Sequence, residues 1–160
     1  MSLKLGDKSP NIVFADCGID AAISGVISGI FAATGQTYAA GSRVLVQNSI
    51  RDTFSQCLVD LAHTARKGDP MLPDTNIGPV TTAPQYRKIL DYIDIAKAEG
   101  ARCILDGGPA TSPDLPGGQF IEPTIFKDVN PRCVSPARRC LDPSSPSSVS
   151  RRGRSHSIPE

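Results

Sequence analysis

Ser42-Arg43-Val44-Leu45-Val46-Gln47, followed by Ile50, Phe54, Cys57, Leu58, Leu61, Ala62 and Ala65, is the part of the chain from which the architecture can be read. The first six residues are a β-branched run of strand length. The apolar positions after it fall at offsets of 4, 3, 1, 3, 1 and 3, which lays one continuous stripe along a helix starting near Asn48 or Ser49. A strand feeding a helix in this way is the repeating unit of an α/β protein.

Upstream, Pro10-Asn11-Ile12-Val13-Phe14-Ala15 reads as a strand, and Asp16 and Asp20 precede a helix rich in Ala, Ile and Val that Gly35 closes. Within it, Gly25 and Gly29 form a small-residue pair expected to let this helix pack closely on its sheet. Downstream, Gly68, Pro70, Pro73, Gly78 and Pro79 punctuate a long loop. Pro84 opens a third helix carrying Tyr86, Ile89, Leu90, Ile93 and Ala96, with Gly100 as its cap. Cys103-Ile104-Leu105 reads as a short strand, and Phe120 to Phe126 as a last apolar run interrupted by Pro123. The pattern predicts a doubly wound α/β arrangement around a mostly parallel sheet.

The chain has 160 residues and a formal net charge of +1, the size of one domain and the charge of no particular partner class. That average conceals a division. Residues 1–130 hold 11 Lys and Arg against 14 Asp and Glu, whereas residues 131–160 hold 6 Arg against 2 acids, with 8 Ser and 5 Pro. The second segment has too few large aliphatics to build a core and is expected to be a disordered tail. Five cysteines with no Cys-x-x-Cys pair give neither a disulfide framework nor a zinc site, and no metal site is expected. Cys17, Cys57 and Cys103 read as small buried hydrophobes, and His63 and His156 as lone histidines without catalytic partners. The longest apolar stretch, Ala21 to Ala33, is 13 residues, short of the roughly 20 that cross a bilayer. Gly6 and Asp7 interrupt the place where a secretory leader would run, so a reducing, cytoplasmic setting is expected.

Two segments carry a specific resemblance. Lys4-Leu5-Gly6-Asp7-Lys8-Ser9-Pro10 resembles the Glu-Leu-Gly-Gly-Lys-Ser-Pro segment of the NAD(P)-dependent aldehyde dehydrogenase superfamily. Gly35-Gln36-Thr37-Tyr38-Ala39-Ala40-Gly41-Ser42-Arg43 is similar to its Gly-Gln-x-Cys-x-Ala-Gly-Ser-Arg segment, and the two key positions stand 34 residues apart, as in the family. Gly68-Asp69-Pro70, Gly78-Pro79 and Gly118 to Phe126 follow in the family's order. The resemblance covers residues 2 to about 130 and implies part of the doubly wound parallel sheet of the family's catalytic domain.

It also implies a chemistry. In the family a cysteine thiolate attacks an aldehyde, hydride passes to NAD or NADP, and a glutamate activates the water that opens the thioester to the carboxylic acid. Here the nucleophile position is Tyr38 and the base position is Lys4, while Leu5 and Gly6 occupy positions on the family's cofactor side. Asp7 replaces the second glycine of the family's pair. A phenol with an ordinary pKa near 10 and an ammonium with one near 10.4 cannot take the two roles at neutral pH. The resemblance therefore implies an oxidoreductase by descent and, in this chain, an inactive fragment.

Most of the family's nucleotide domain precedes the segment at Lys4, so this fragment is expected not to hold NAD or NADP by itself. A full-length aldehyde dehydrogenase subunit is the expected partner; neither nucleic acid nor a membrane is. If Arg138 to Pro146 is encoded AGG AGG TGT TTG GAC CCG TCC TCT CCG, reading from the third base gives Glu-Val-Phe-Gly-Pro-Val-Leu-Ser, which resembles the family segment expected after residue 130. Residues 131–160 thus read as an out-of-frame translation. The competing readings are a non-catalytic partner of an intact homologue and a basic Arg/Ser tail whose Arg151-Arg152-Gly153-Arg154 contacts phosphate.

Overall fold

The structure, a computed structural model, describes residues 10–37, 40–111, 115, 118–129 and 147–150. Five strands and three α-helices are described: β1 (Pro10–Val13), α1 (Ile19–Phe31), β2 (Arg43–Val46), α2 (Arg51–His63), α3 (Ala83–Ala98), β3 (Arg102–Leu105), β4 (Ile125–Lys127) and β5 (Ser147–Ser150). The sheet runs in the order β1-β2-β5-β4-β3, with every neighbouring pair parallel except β3 and β4. This is the expected mostly parallel α/β sheet.

Helices lie on both faces. The stripe on α2 buries Phe54, Leu58 and Ala62, which join Ile23 and Val26 of α1 against Val13, Val44, Val46 and Ile125 of the sheet. Alternation along β4 sends the next residue, Phe126, to the opposite side, where it meets Ile89, Ile93 and Ala96 of α3 with Val80 and Val129. Thr82 caps α3 by accepting from the Gln85 N–H at 3.4 Å, and Gly100, at φ 82°, turns the chain out of it. Cys57 and Cys17 pack half-buried on the first cluster and Cys103 on the second, so all three serve as small apolar residues.

Two expectations are corrected. Gly25 and Gly29 do not face the sheet: both are exposed, and a Cβ on either would meet nothing within 4 Å. The core-facing positions of α1 are Ile23, Val26 and Ile30, one turn apart, which leaves the glycines on the outer side. The disordered-tail expectation fails at Ser147–Ser150, which pair with β2 on one side and β4 on the other. Composition measures the capacity to fill a core, whereas a ladder needs only backbone N–H and C=O groups, and the facing edges of β2 and β4 each require partners. The rest of that segment lies outside the described residues.

Charge fixes the junction of α2 with β4. Lys127, only 9% exposed, donates to Asp52 Oδ1 at 2.6 Å, and Arg51 reaches both Asp52 and Asp128. The hydrogen bond from Lys127, reinforced by its charge, holds the Asp52 carboxyl below its ordinary value. A lowered folded-state pKa gives stability that is complete above the unfolded value and lost as pH falls through the folded one. Asp52→Asn is therefore expected to weaken the chain at neutral pH and to flatten the acid limb of its stability profile, measured by denaturant midpoints between pH 3 and pH 7. An unchanged acid limb would show that the pair does not couple to folding. Among the described residues, no helix is long and apolar enough to cross a membrane.

Candidate active site

Parallel pairing of β1 with β2 sets Pro10 opposite Arg43, so both strands begin at the same end of the sheet. Each strand follows, in sequence, one of the two segments singled out above. Lys4, Leu5, Gly6, Asp7 and Tyr38 lie outside the described residues.

The side chain of Asn11 on β1 donates to the Gly41 carbonyl at 3.3 Å, tying the start of β1 to the backbone that leads into β2. A Cβ added at Gly41 would collide with the Asn11 side-chain nitrogen, so a larger residue there would push the carboxamide off the Gly41 carbonyl. The Ser42 hydroxyl is buried beside it and finds no hydrogen-bond partner among the described residues.

Between α1 and Tyr38 the chain makes an unusual turn. Ala33, Thr34 and Gly35 are all left-handed, at φ of 50°, 60° and 69°. Glycine takes this conformation freely, but alanine and threonine do so at a cost of roughly 1–2 kcal/mol each. Interactions with the 78–81 segment offset that cost. Thr34 Oγ1 donates to the Gly78 carbonyl at 3.3 Å. Gln36 Oε1 accepts from the Thr81 N–H at 3.1 Å and the Thr81 hydroxyl at 2.7 Å, while Gln36 Nε2 donates to the Pro79 carbonyl at 3.5 Å. Ala33→Gly is expected to raise stability by about 0.5–1 kcal/mol, the left-handed penalty less the added chain entropy of glycine. A thermal melt that moves down would mean that Ala33 is not strained.

Gln36 has a place in the motif but no role legible from sequence, and nothing in the sequence singles out Thr81. Only Gly35 signals a left-handed turn, and the partners of the turn stand more than forty residues further along. Another titratable cluster lies between α3 and the end of β3. Lys97 meets Asp106 at 2.6 Å, and the Cys103 thiol donates to the Leu105 carbonyl at 3.1 Å. Burial, and then the Asp106 carboxylate, push the Cys103 thiol up, away from the thiolate that a nucleophile needs. His63 is exposed at the end of α2. Among the described residues, no group of three or more His, Cys, Asp or Glu could hold a metal ion.

Comparison with known proteins bears directly on these segments. The family model described as "Aldehyde dehydrogenase family" matches residues 1–135. Betaine aldehyde dehydrogenases of Brucella anthropi and Brucella ovis are each 43% identical over 129 residues, 81% of this chain and 26% of theirs. The chain thus spans about a quarter of the length of these curated relatives. Among solved structures, a mutant apo betaine aldehyde dehydrogenase of Staphylococcus aureus superposes with a TM-score of 0.85 at 36% identity, covering 91% of this chain and 28% of that one. The same bacterium's enzyme in complex with NAD+ gives a TM-score of 0.82, at the same identity and coverage.

Proposed function

The chain belongs to the aldehyde dehydrogenase family, and from that premise we propose that it keeps part of the catalytic-domain scaffold of an NAD(P)-dependent aldehyde oxidoreductase without the groups that perform the oxidation. The observation that carries this reading is the identity of two residues inside the matched segment, Lys4 and Tyr38.

The family reaction needs a nucleophile that attacks a carbonyl and then leaves an acyl group open to water. A thiol with an ordinary pKa near 8.5 supplies some thiolate at neutral pH; a phenol near 10 supplies far less phenolate. Water activation needs a group that accepts a proton. An ammonium at position 4 has no lone pair to accept one and can only donate. NAD or NADP, when bound, would take the hydride in the family's chemistry. Leu5 and Gly6, the family positions on the cofactor side, lie outside the described residues.

Asp7 adds to the difference. It sets a carboxylate where the family has glycine, at a place where a side chain restricts close backbone approach.

The test is covalent. Purified chain incubated with an aldehyde and NAD+ or NADP+, quenched in acid and digested, is expected to show no acyl group on the peptide containing residue 38. An acylated peptide spanning Tyr38 would defeat the proposal. Acylation at Cys17, Cys57 or Cys103 would instead relocate the nucleophile.

A further inference from the structure

We propose that Gln36 is a positioning residue, whose carboxamide ties the left-handed turn to the 79–81 segment and thereby fixes the course of the backbone from Gly35 to Thr37, the residues that precede position 38. Its functional meaning rests on the reading of position 38 given above, but its test reads geometry and not chemistry, so either can fail without the other.

Both ends of the carboxamide are engaged. The oxygen receives two donors from Thr81, and the nitrogen finds a carbonyl acceptor at Pro79. Rotating the amide by half a turn would set an NH2 group against the Thr81 N–H, which can only donate, and an oxygen against the Pro79 carbonyl, so the network admits one orientation. Thr34 adds a hydrogen bond to Gly78 from the other side of Gly35. The left-handed turn is thus held on both flanks by a segment that is itself anchored, since the Val80 N–H donates to the Gln119 carbonyl at 2.8 Å. A strained backbone persists only where its surroundings over-determine it. Immediately beyond, the Ala40 N–H closes back onto the Thr37 carbonyl at 3.2 Å. Gln36 therefore stands, in sequence, between the strained turn and position 38.

The carboxamide's two-sided role sets it apart from its nearest isostere. Glutamate in its ionised form can accept from Thr81 but cannot donate to Pro79. Protonated glutamate can do both, with its carbonyl oxygen and its O–H in the places of the amide oxygen and nitrogen. That difference makes the role testable by pH.

The full chain would be labelled with 3-fluorotyrosine, its resonances assigned by Tyr→Phe variants, and the Tyr38 signal followed by fluorine NMR with Tyr92 of α3 as the control for folding. Gln36→Ala is expected to displace or split the Tyr38 resonance while Tyr92 stays in place. Gln36→Glu is expected to return Tyr38 to its original position below the carboxyl's pKa and to lose it above, a step absent from the unsubstituted chain. A Tyr38 signal unmoved in Gln36→Ala, or a Gln36→Glu chain with no pH step, overturns the proposal. If Gln36→Ala loses the Tyr92 signal as well, Thr81→Val decides: it removes only the hydroxyl donor, and an unmoved Tyr38 resonance there overturns the role.

Discussion

Reduction of NAD+ or NADP+ by this chain in the presence of an aldehyde is expected to run roughly four to six orders of magnitude below that of a relative carrying cysteine and glutamate at the corresponding positions, the usual cost of removing a catalytic nucleophile. That factor corresponds to about 5–8 kcal/mol of lost transition-state stabilisation. Two losses overlap here and do not add, because residues that act in one sequence of steps fail together. Without a thiolate at 38 no thiohemiacetal is expected to form, so a base restored at position 4 alone would have no thioester to open. The measurement is steady-state reduced-cofactor production with a panel of aldehydes, alongside Tyr38→Cys and the double variant Tyr38→Cys with Lys4→Glu. The single variant is expected to regain reversible capture of the aldehyde as a thiohemiacetal, and neither variant to turn over unless bound NAD+ or NADP+ takes the hydride, a cofactor that this fragment is expected not to hold by itself. Turnover by the unsubstituted chain close to that of a relative would refute the expectation outright.

Phe54→Ala is expected to cost about 3–5 kcal/mol, enough to remove most of the stability that a domain of this size commonly has. Phe54 is fully buried, and it shares the core between α2 and the sheet with Val44, Leu58 and Ile125, each no more than 1% exposed. Truncation at such a site leaves a cavity whose walls belong to three different elements and cannot all close on it. Urea unfolding followed by far-ultraviolet circular dichroism should show the midpoint collapsing toward zero denaturant. A fall of less than about 1 kcal/mol would mean that the core rearranges freely, which close packing does not permit.

What can be read in advance follows the range of the forces involved. The first two strands, the three helices and their buried stripes are legible because periodicity is a local property: Phe54, Leu58 and Ala62 announce their own face. The two catalytic segments are legible because their residue types and spacing are specific. The left-handed turn is not, since alanine and threonine at 33 and 34 carry no sign of positive φ. Neither is the clamp on it, nor the Asp52–Lys127 pair, whose members stand 75 residues apart. Strand β5 escapes for a different reason. Ser-Ser-Val-Ser gives no strand signal of its own, and its place is defined by the two neighbours that flank it.

The position of β5 also sets a timetable for synthesis. Because β5 stands between β2 and β4, a nascent polypeptide that has not yet emerged past residue 150 owns two separate ribbons, β1 with β2 and β3 with β4, and no ladder to join them. Both ribbons then offer open inner edges at once, to each other or to any other extended chain nearby. The latest of the five strands to leave the ribosome is thus the keystone of their sheet, and assembly waits on it.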